Sequence, residues 1–363
     1  MTTGPGTAVC PNCGRAVGPG DNFCEGCRTE LAPAVVSGDA PAAVTECPAC
    51  HSAQISADGY CESCGRKMPA ARDHIELDLG LLAGVTDKGL RHSRNEDAMA
   101  LATAEQAGHP VAVAVVCDGV SSSRRPDEAS LAAVQTAMRV LLAGVREDAD
   151  LLETSRAAVA AAQQALAGLD EPGPGDAPSA TFVSAVLTGE AATLCWLGDS
   201  RAYWLGSGPG SESERLTTDD SLAGEMVAAG LVSEDDAMAL PGAHVVTGWV
   251  GADAAGTEPH VATFTPPGPG ALLLCSDGLW NYRPGAAELA ELALPGALTD
   301  PLGTAAALVS FALEAGGMDN ITAVVAPYPP TAPASEEKAA DEVDDADEMA
   351  LDTRSTKTVR TKK

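Results

Sequence analysis

Apolar positions along this chain follow two rhythms. Short unbroken runs, "PVAVAVVC", "SATFVSAVL", "ATLCWLG", "RAYWLG", "HVATFT", "ALLLCS" and "ITAVVAPY", have the length and the β-branched content of strands buried on both faces. Longer stretches repeat their apolar residues at helical spacing: "PDEASLAAVQTAMRVLLAGVRE", "LLETSRAAVAAAQQALAGL" and "DPLGTAAALVSFALEAGG". Pro126 suits the first turn of the first helix, and Gly316–Gly317 suits the stop of the third. Strands gather between helices instead of alternating with them, which predicts an α+β fold with sheets packed together and helices outside, over residues 77–327.

The flanks lack both rhythms. Eight of the eleven cysteines lie before residue 65, at Cys10, Cys13, Cys24 and Cys27, then at Cys47, Cys50, Cys61 and Cys64. Each later one is its earlier counterpart shifted by 37 residues. Each copy reads C-x2-C, ten residues, C-x2-C, the spacing that sets four thiolates around a tetrahedral Zn²⁺. His51 could replace Cys50 as a ligand, but the regular repeat favours cysteine. Units this short have too little core to fold without metal, so two structural Zn²⁺ ions are expected. The copies, at 1–30 and 46–67, resemble zinc ribbons and are expected to dock a protein partner. A Pro/Ala-rich linker, 31–45, separates them. Cys117, Cys195 and Cys275 sit inside apolar runs and read as small core residues. The end, 328–363, turns from prolines to acids and then to "TRSTKTVRTKK", and reads as a disordered tail whose threonines and Ser355 could be kinase targets.

Charge narrows the partners. Formal net charge is −29, and residues 77–327 hold 11 basic and 33 acidic side chains, a net of −22. A field of that sign excludes nucleic acid and anionic lipid as partners. No apolar run reaches the roughly 18 residues of a membrane span, and "MTTGPGTAVC" lacks the pattern of a secretory leader, so a cytoplasmic location is expected.

The same charge poses a chemical problem. Asp118, Asp199 and Asp277 each close an apolar strand-like run, Asp319 opens the last, and Glu96 and Asp97 lie in "RHSRNEDA". Asp-Gly pairs usually mark turns, and singly each motif reads so. Gathered at strand ends, however, two carboxylates about 4 Å apart repel by roughly 4 kcal/mol at an effective dielectric near 20. Oxygen donors without His or Cys select Mg²⁺ or Mn²⁺ to relieve that repulsion.

In order, "TDKGLRHSRNEDA", "VVCDG", "LGDSRAY", "CSDGLW" and "MDNIT" resemble the PP2C-type (PPM) metal-dependent Ser/Thr protein phosphatases, and "LTTDDSLAGEMVAAGLVSEDDAM" resembles that family's flap. The resemblance implies an α-β-β-α sandwich with two Mn²⁺ or Mg²⁺ ions at one end. It implies Asp118 as the bridging ligand, the Gly119 carbonyl beside it, Asp277 and Asp319 on the second ion, Asp199 on a third, and Glu96 and Asp97 acting through water. It implies attack of a metal-held water on phosphoserine or phosphothreonine in phosphorylated proteins, opposing a Ser/Thr kinase. Two positions depart from the family. His92 stands where an arginine usually grips the phosphate, which leaves Arg94 or His92 for that role; Arg94 shares a face with His92 if the segment is extended. Val120 stands where some members carry a histidine.

Overall fold

In the computed structural model the apolar runs form two antiparallel sheets. The first runs in the order β1 (Val35–Val36), β4 (Asp97–Gln106), β5 (His109–Asp118), β7 (Phe182–Leu187), β8 (Ala192–Leu197), β12 (His260–Phe264). The second runs β10 (Glu214–Arg215), β9 (Arg201–Gly206), β13 (Gly270–Cys275), β14 (Ile321–Tyr328), β3 (Ala83–Asp87), β2 (His74–Asp78). A two-stranded ladder joins β6 (Ser179–Ala180) to β11 (Val250–Gly251). The structure describes residues 15, 26, 35–36, 46–47, 49–56, 58–68, 70–169, 176–208, 211–233, 236–237, 240, 242–254 and 257–330. The first cysteine set and the tail beyond residue 330 lie outside them.

The unbroken runs have a physical reason. Successive residues of a strand point to opposite faces. In β5, Val111, Val113, Val115 and Cys117 enter a core shared with α1 (Pro126–Arg146) and α2 (Leu151–Leu169). Their neighbours Ala112, Ala114 and Val116 enter a second core, between the sheets. In β13, Leu272 and Leu274 meet that same inter-sheet core. Ala271, Leu273 and Cys275 meet a third, under α5 (Ala286–Ala297) and α6 (Pro301–Ala315). Both faces of both sheets are therefore covered, giving four layers, α-β-β-α. With few aromatics, Ala, Val and Leu fill all three cores.

α5 and the strand β4 are absent from the periodic segments expected above. β4 reads "DAMALATAEQ", where alanines dilute the strand signal although its first six residues are buried. Val35–Val36, inside the stretch read as a linker, forms an edge strand on β4, with Val35 opposite Leu101 and Val36 opposite Ala100.

Candidate active site

The sheets bring their acid-bearing ends to one cavity of about 670 Å³, lined by Asp118, Asp199, Asp277 and Asp319 among others. Asp118 is the last residue of β5, and Asp97, the first of β4, stands opposite it in register. Asp199 lies two residues past β8. Asp277 opens α4 (Asp277–Trp280), the turn that follows β13. Asp319 precedes β14 by two residues.

Hydroxyls and amides fix these acids. Asp97 is buried, and its Oδ2 accepts from Ser276 Oγ (2.7 Å) and Thr322 Oγ1 (2.7 Å). Thr322 is in turn 2.7 Å from Thr86 Oγ1, which accepts from Asn95 Nδ2 at 2.9 Å. The Asp118 backbone N–H donates to Thr181 Oγ1 (3.0 Å). Asn320 Oδ1 accepts from the Glu96 N–H (2.8 Å), and its Nδ2 donates to the carbonyls of Lys88 (2.7 Å) and Arg94 (3.1 Å), so it clips the 88–96 loop to β14. Trp280 Nε1 donates to the Asp199 carbonyl (2.9 Å). The buried Arg201 guanidinium lies 3.5 Å from the Trp280 ring and pairs with Asp219 through Nε (3.0 Å) and Nη2 (2.7 Å). None of these supporting residues was singled out from the sequence. Ser276 and Thr322 left a signal, as hydroxyls interrupting apolar runs beside an acid.

Burial dominates the electrostatics. It pushes Asp118 and Asp277 well above the ordinary carboxylate range, and the charges of Asp97 and Asp277 on the one, and of Asp199 and Asp319 on the other, add to the shift. Burial also raises Asp97 to about 6 and Asp199 to about 7. Asp97 Oδ1 and Asp277 Oδ1 are buried without a hydrogen-bond partner. Clustered, dehydrated oxygen donors with unused lone pairs fit hard divalent cations. Their spacing is loose, since among the described residues only the second cysteine set brings three or more ligand atoms within 4.8 Å of one another.

The loop carrying the two expected phosphate ligands is a turn and bend, not an extended segment, so the alternation argument does not hold there. His92 Nε2 reaches Asp319 Oδ1 at 3.1 Å. Arg94 Nε reaches Glu96 Oε1 at 2.9 Å, with Nη1 3.4 Å from Asp127 Oδ1. Ser121 Oγ donates to the other Glu96 oxygen (2.6 Å). Neither Arg94 nor His92 is among the residues lining the cavity, and among the described residues no lysine or arginine is. Gly119 does line it, and its α-carbon leaves no room for a side chain, since a Cβ would stand 2.3 Å from the Pro126 carbonyl oxygen.

In the second cysteine set, Cys47 Sγ is 3.6 Å from Cys64 Sγ, and Cys50 Sγ is 3.4 Å from Cys61 Sγ. A backbone hydrogen bond from Ala49 is the largest influence in lowering the Cys47 thiol. Four converging sulfurs of this kind fit a tetrahedral Zn²⁺.

Residues 90–295 match the family described as Protein phosphatase 2C, and residues 10–65 match Double zinc ribbon. The chain belongs to the protein phosphatase 2C family and carries a double zinc ribbon ahead of the phosphatase-like region. It is 29% identical over 248 residues to the serine/threonine protein phosphatase PstP of Mycobacterium tuberculosis, covering 67% of this chain and 44% of that protein. It is 32% identical over 147 residues to the serine/threonine phosphatase stp of Listeria innocua, covering 40% of this chain and 55% of that one. The chain thus spans about half the length of the curated relatives it matches. Among solved structures it resembles the PPM Ser-Thr phosphatase MsPP of Mycobacterium smegmatis (29% identity, TM-score 0.52, 68% of this chain and 97% of that one). It also resembles the catalytic domain of PstP in complex with two manganese ions (27% identity, TM-score 0.52, 68% and 96%).

Proposed function

We propose that this chain hydrolyses phosphoserine and phosphothreonine in phosphorylated proteins, with Mn²⁺ or Mg²⁺ as cofactor. The observation that carries the reading is the convergence of Asp118, Asp199, Asp277 and Asp319 on one cavity, with a buried carboxylate oxygen of Asp277 left without a partner. The PstP relative solved with two manganese ions supports the choice of metal. Asp118, with the Gly119 carbonyl as a further ligand, would serve both ions, Asp277 and Asp319 would hold the second, and Asp199 would suit a third. Such ions neutralise phosphate charge and activate water.

The chain's own groups do the rest. Glu96 and Asp97 would hold water at the site. Arg94 and His92, held at the site's edge by Glu96 and Asp319, are the groups we assign to grip the phosphate. No protein nucleophile is required, and the thiols suit none: burial raises Cys117 and Cys275 and pushes Cys195 up to about 12. Val120 offers no proton, so the leaving oxygen takes one from water. Each cysteine set would hold a structural Zn²⁺ and dock a protein partner, and the enzyme would oppose a Ser/Thr kinase.

The test is hydrolysis of p-nitrophenyl phosphate by the full chain. Turnover should require Mn²⁺ or Mg²⁺ and should vanish in Asp118→Ala and Asp277→Asn. Turnover that ignores chelation, or survives both substitutions, rejects the assignment.

A further inference from the structure

The cavity's mouth has a feature that the metal chemistry does not use. Trp249 and Asp253 both line it, and the Trp249 indole Nε1 donates to Asp253 Oδ1 at 2.9 Å. The pair sits over Gly251: a Cβ there would stand 3.0 Å from both Trp249 Cδ1 and Asp253 Oδ1. Asp253 is exposed and makes no salt bridge to a basic group among the described residues. An aromatic face beside a carboxylate that its own indole holds in place is a receptor for a cationic side chain. The ring quadrupole attracts the charge, and the carboxylate accepts its N–H groups. Arginine fits best, because its planar guanidinium can stack and chelate together. Among the described residues no lysine or arginine lines the cavity.

Backbone pairing sets the spacing between the Asp118–Gly119 corner and the segment that carries this pair. Gly119 bridges to Ala180, and Ala180 pairs with Val250. Two strand spacings of ~4.8 Å therefore separate the Asp118–Gly119 corner from β11, which Trp249 immediately precedes, about 10 Å in all. An extended peptide rises ~3.3 Å per residue, so that span equals two or three residues.

We propose that Trp249 and Asp253 form a subsite for an arginine or lysine two or three residues from the phosphorylated residue, so that the enzyme selects phosphosites with a basic neighbour. The proposal rests on the phosphatase reading above and names the substrate class within it.

The full chain, with Mn²⁺, is given phosphothreonine peptides that differ only in carrying Arg, Ala or Glu at one position, scanned from three residues before to three after. The readout is the ratio of kcat/KM values within each protein, which cancels general losses. Arg should exceed Ala about fivefold or more at a position two or three residues away. Asp253→Asn and Trp249→Ala should each bring that ratio toward one, and Asp253→Lys should put the Glu peptide ahead of the Arg peptide. A flat scan in the unaltered protein, or a ratio that survives all three substitutions, overturns the subsite. Absence of turnover on every peptide and on p-nitrophenyl phosphate would instead reject the phosphatase reading. The same peptide ratios, read as Kd by fluorescence anisotropy, then still decide the subsite.

Discussion

Asp277 shows what a single buried carboxylate costs and what it is for. One of its oxygens accepts from Asn281 Nδ2 at 3.1 Å and the other has no partner, while burial and the charges of Asp199 and Asp319 oppose its ionisation. Asp277→Asn removes that opposition along with a proposed metal ligand. We expect metal-dependent turnover to fall about a hundredfold or more, while the metal-free protein melts no lower than the unaltered one. A clear drop in the metal-free Tm would show that the acids do not repel one another. His74 behaves oppositely. Its hydrogen bond to Asp87 (2.7 Å), against partial burial and with help from Glu76, raises it from its ordinary value to about 9. The protonated form is thus favoured in the fold, so its contribution is full below the unfolded value near 6.5 and is lost as pH rises through about 9. The side chain is half exposed, so solvent screening keeps that contribution to about 1 kcal/mol or less. In His74→Gln the fall in Tm between pH 6.5 and 9 should be smaller than in the unaltered chain.

At the scale of elements, the site depends on backbones that approach too closely for side chains. A Cβ on Gly278 would lie 2.0 Å from the Asn320 carbonyl oxygen, so α4 and the start of β14 touch through bare backbone. Gly278→Ala should cost about 1–3 kcal/mol, or roughly 2–4 °C of Tm per kcal/mol, and should weaken Mn²⁺ binding measured by calorimetry. Unaltered Mn²⁺ affinity would mean that α4 does not set the place of Asp277. Much at this scale was legible in the chain. Runs buried on both faces announced the strands, Pro126 announced the start of α1, and the acids at run ends pointed to one rim. The supporting groups were not legible, because Asn320, Thr181 and Thr86 act across sequence separations of 63 to 236 residues, and no local pattern encodes a partner that distant. The 91–96 loop misled for a related reason. Alternation holds only in extended chain, and Asn320 holds this segment in a turn. Val35–Val36 gave too short a signal to separate from its Pro- and Ala-rich surroundings.

For the whole molecule, charge is the dominant variable. The region that carries the cavity has 33 acidic against 11 basic side chains, and such a field reaches about 8 Å into physiological salt. KM for a phosphopeptide rich in lysine or arginine should therefore rise as salt is added, and KM for an acidic one should fall or stay level. The same slope for both peptides would show that the field plays no part in substrate choice.

β14 lies in the interior of the second sheet, between β13 and β3, although it is the last strand of its region to be made. While the ribosome is still translating, β2 and β3 on one side and β9 and β13 on the other have nothing to join them. The bed for Asp319 and the clip made by Asn320 come into being with that final strand. The carboxylates we assign to metal binding therefore cannot all be in place before synthesis has passed that point, and the timing of the site's assembly is written into the strand order.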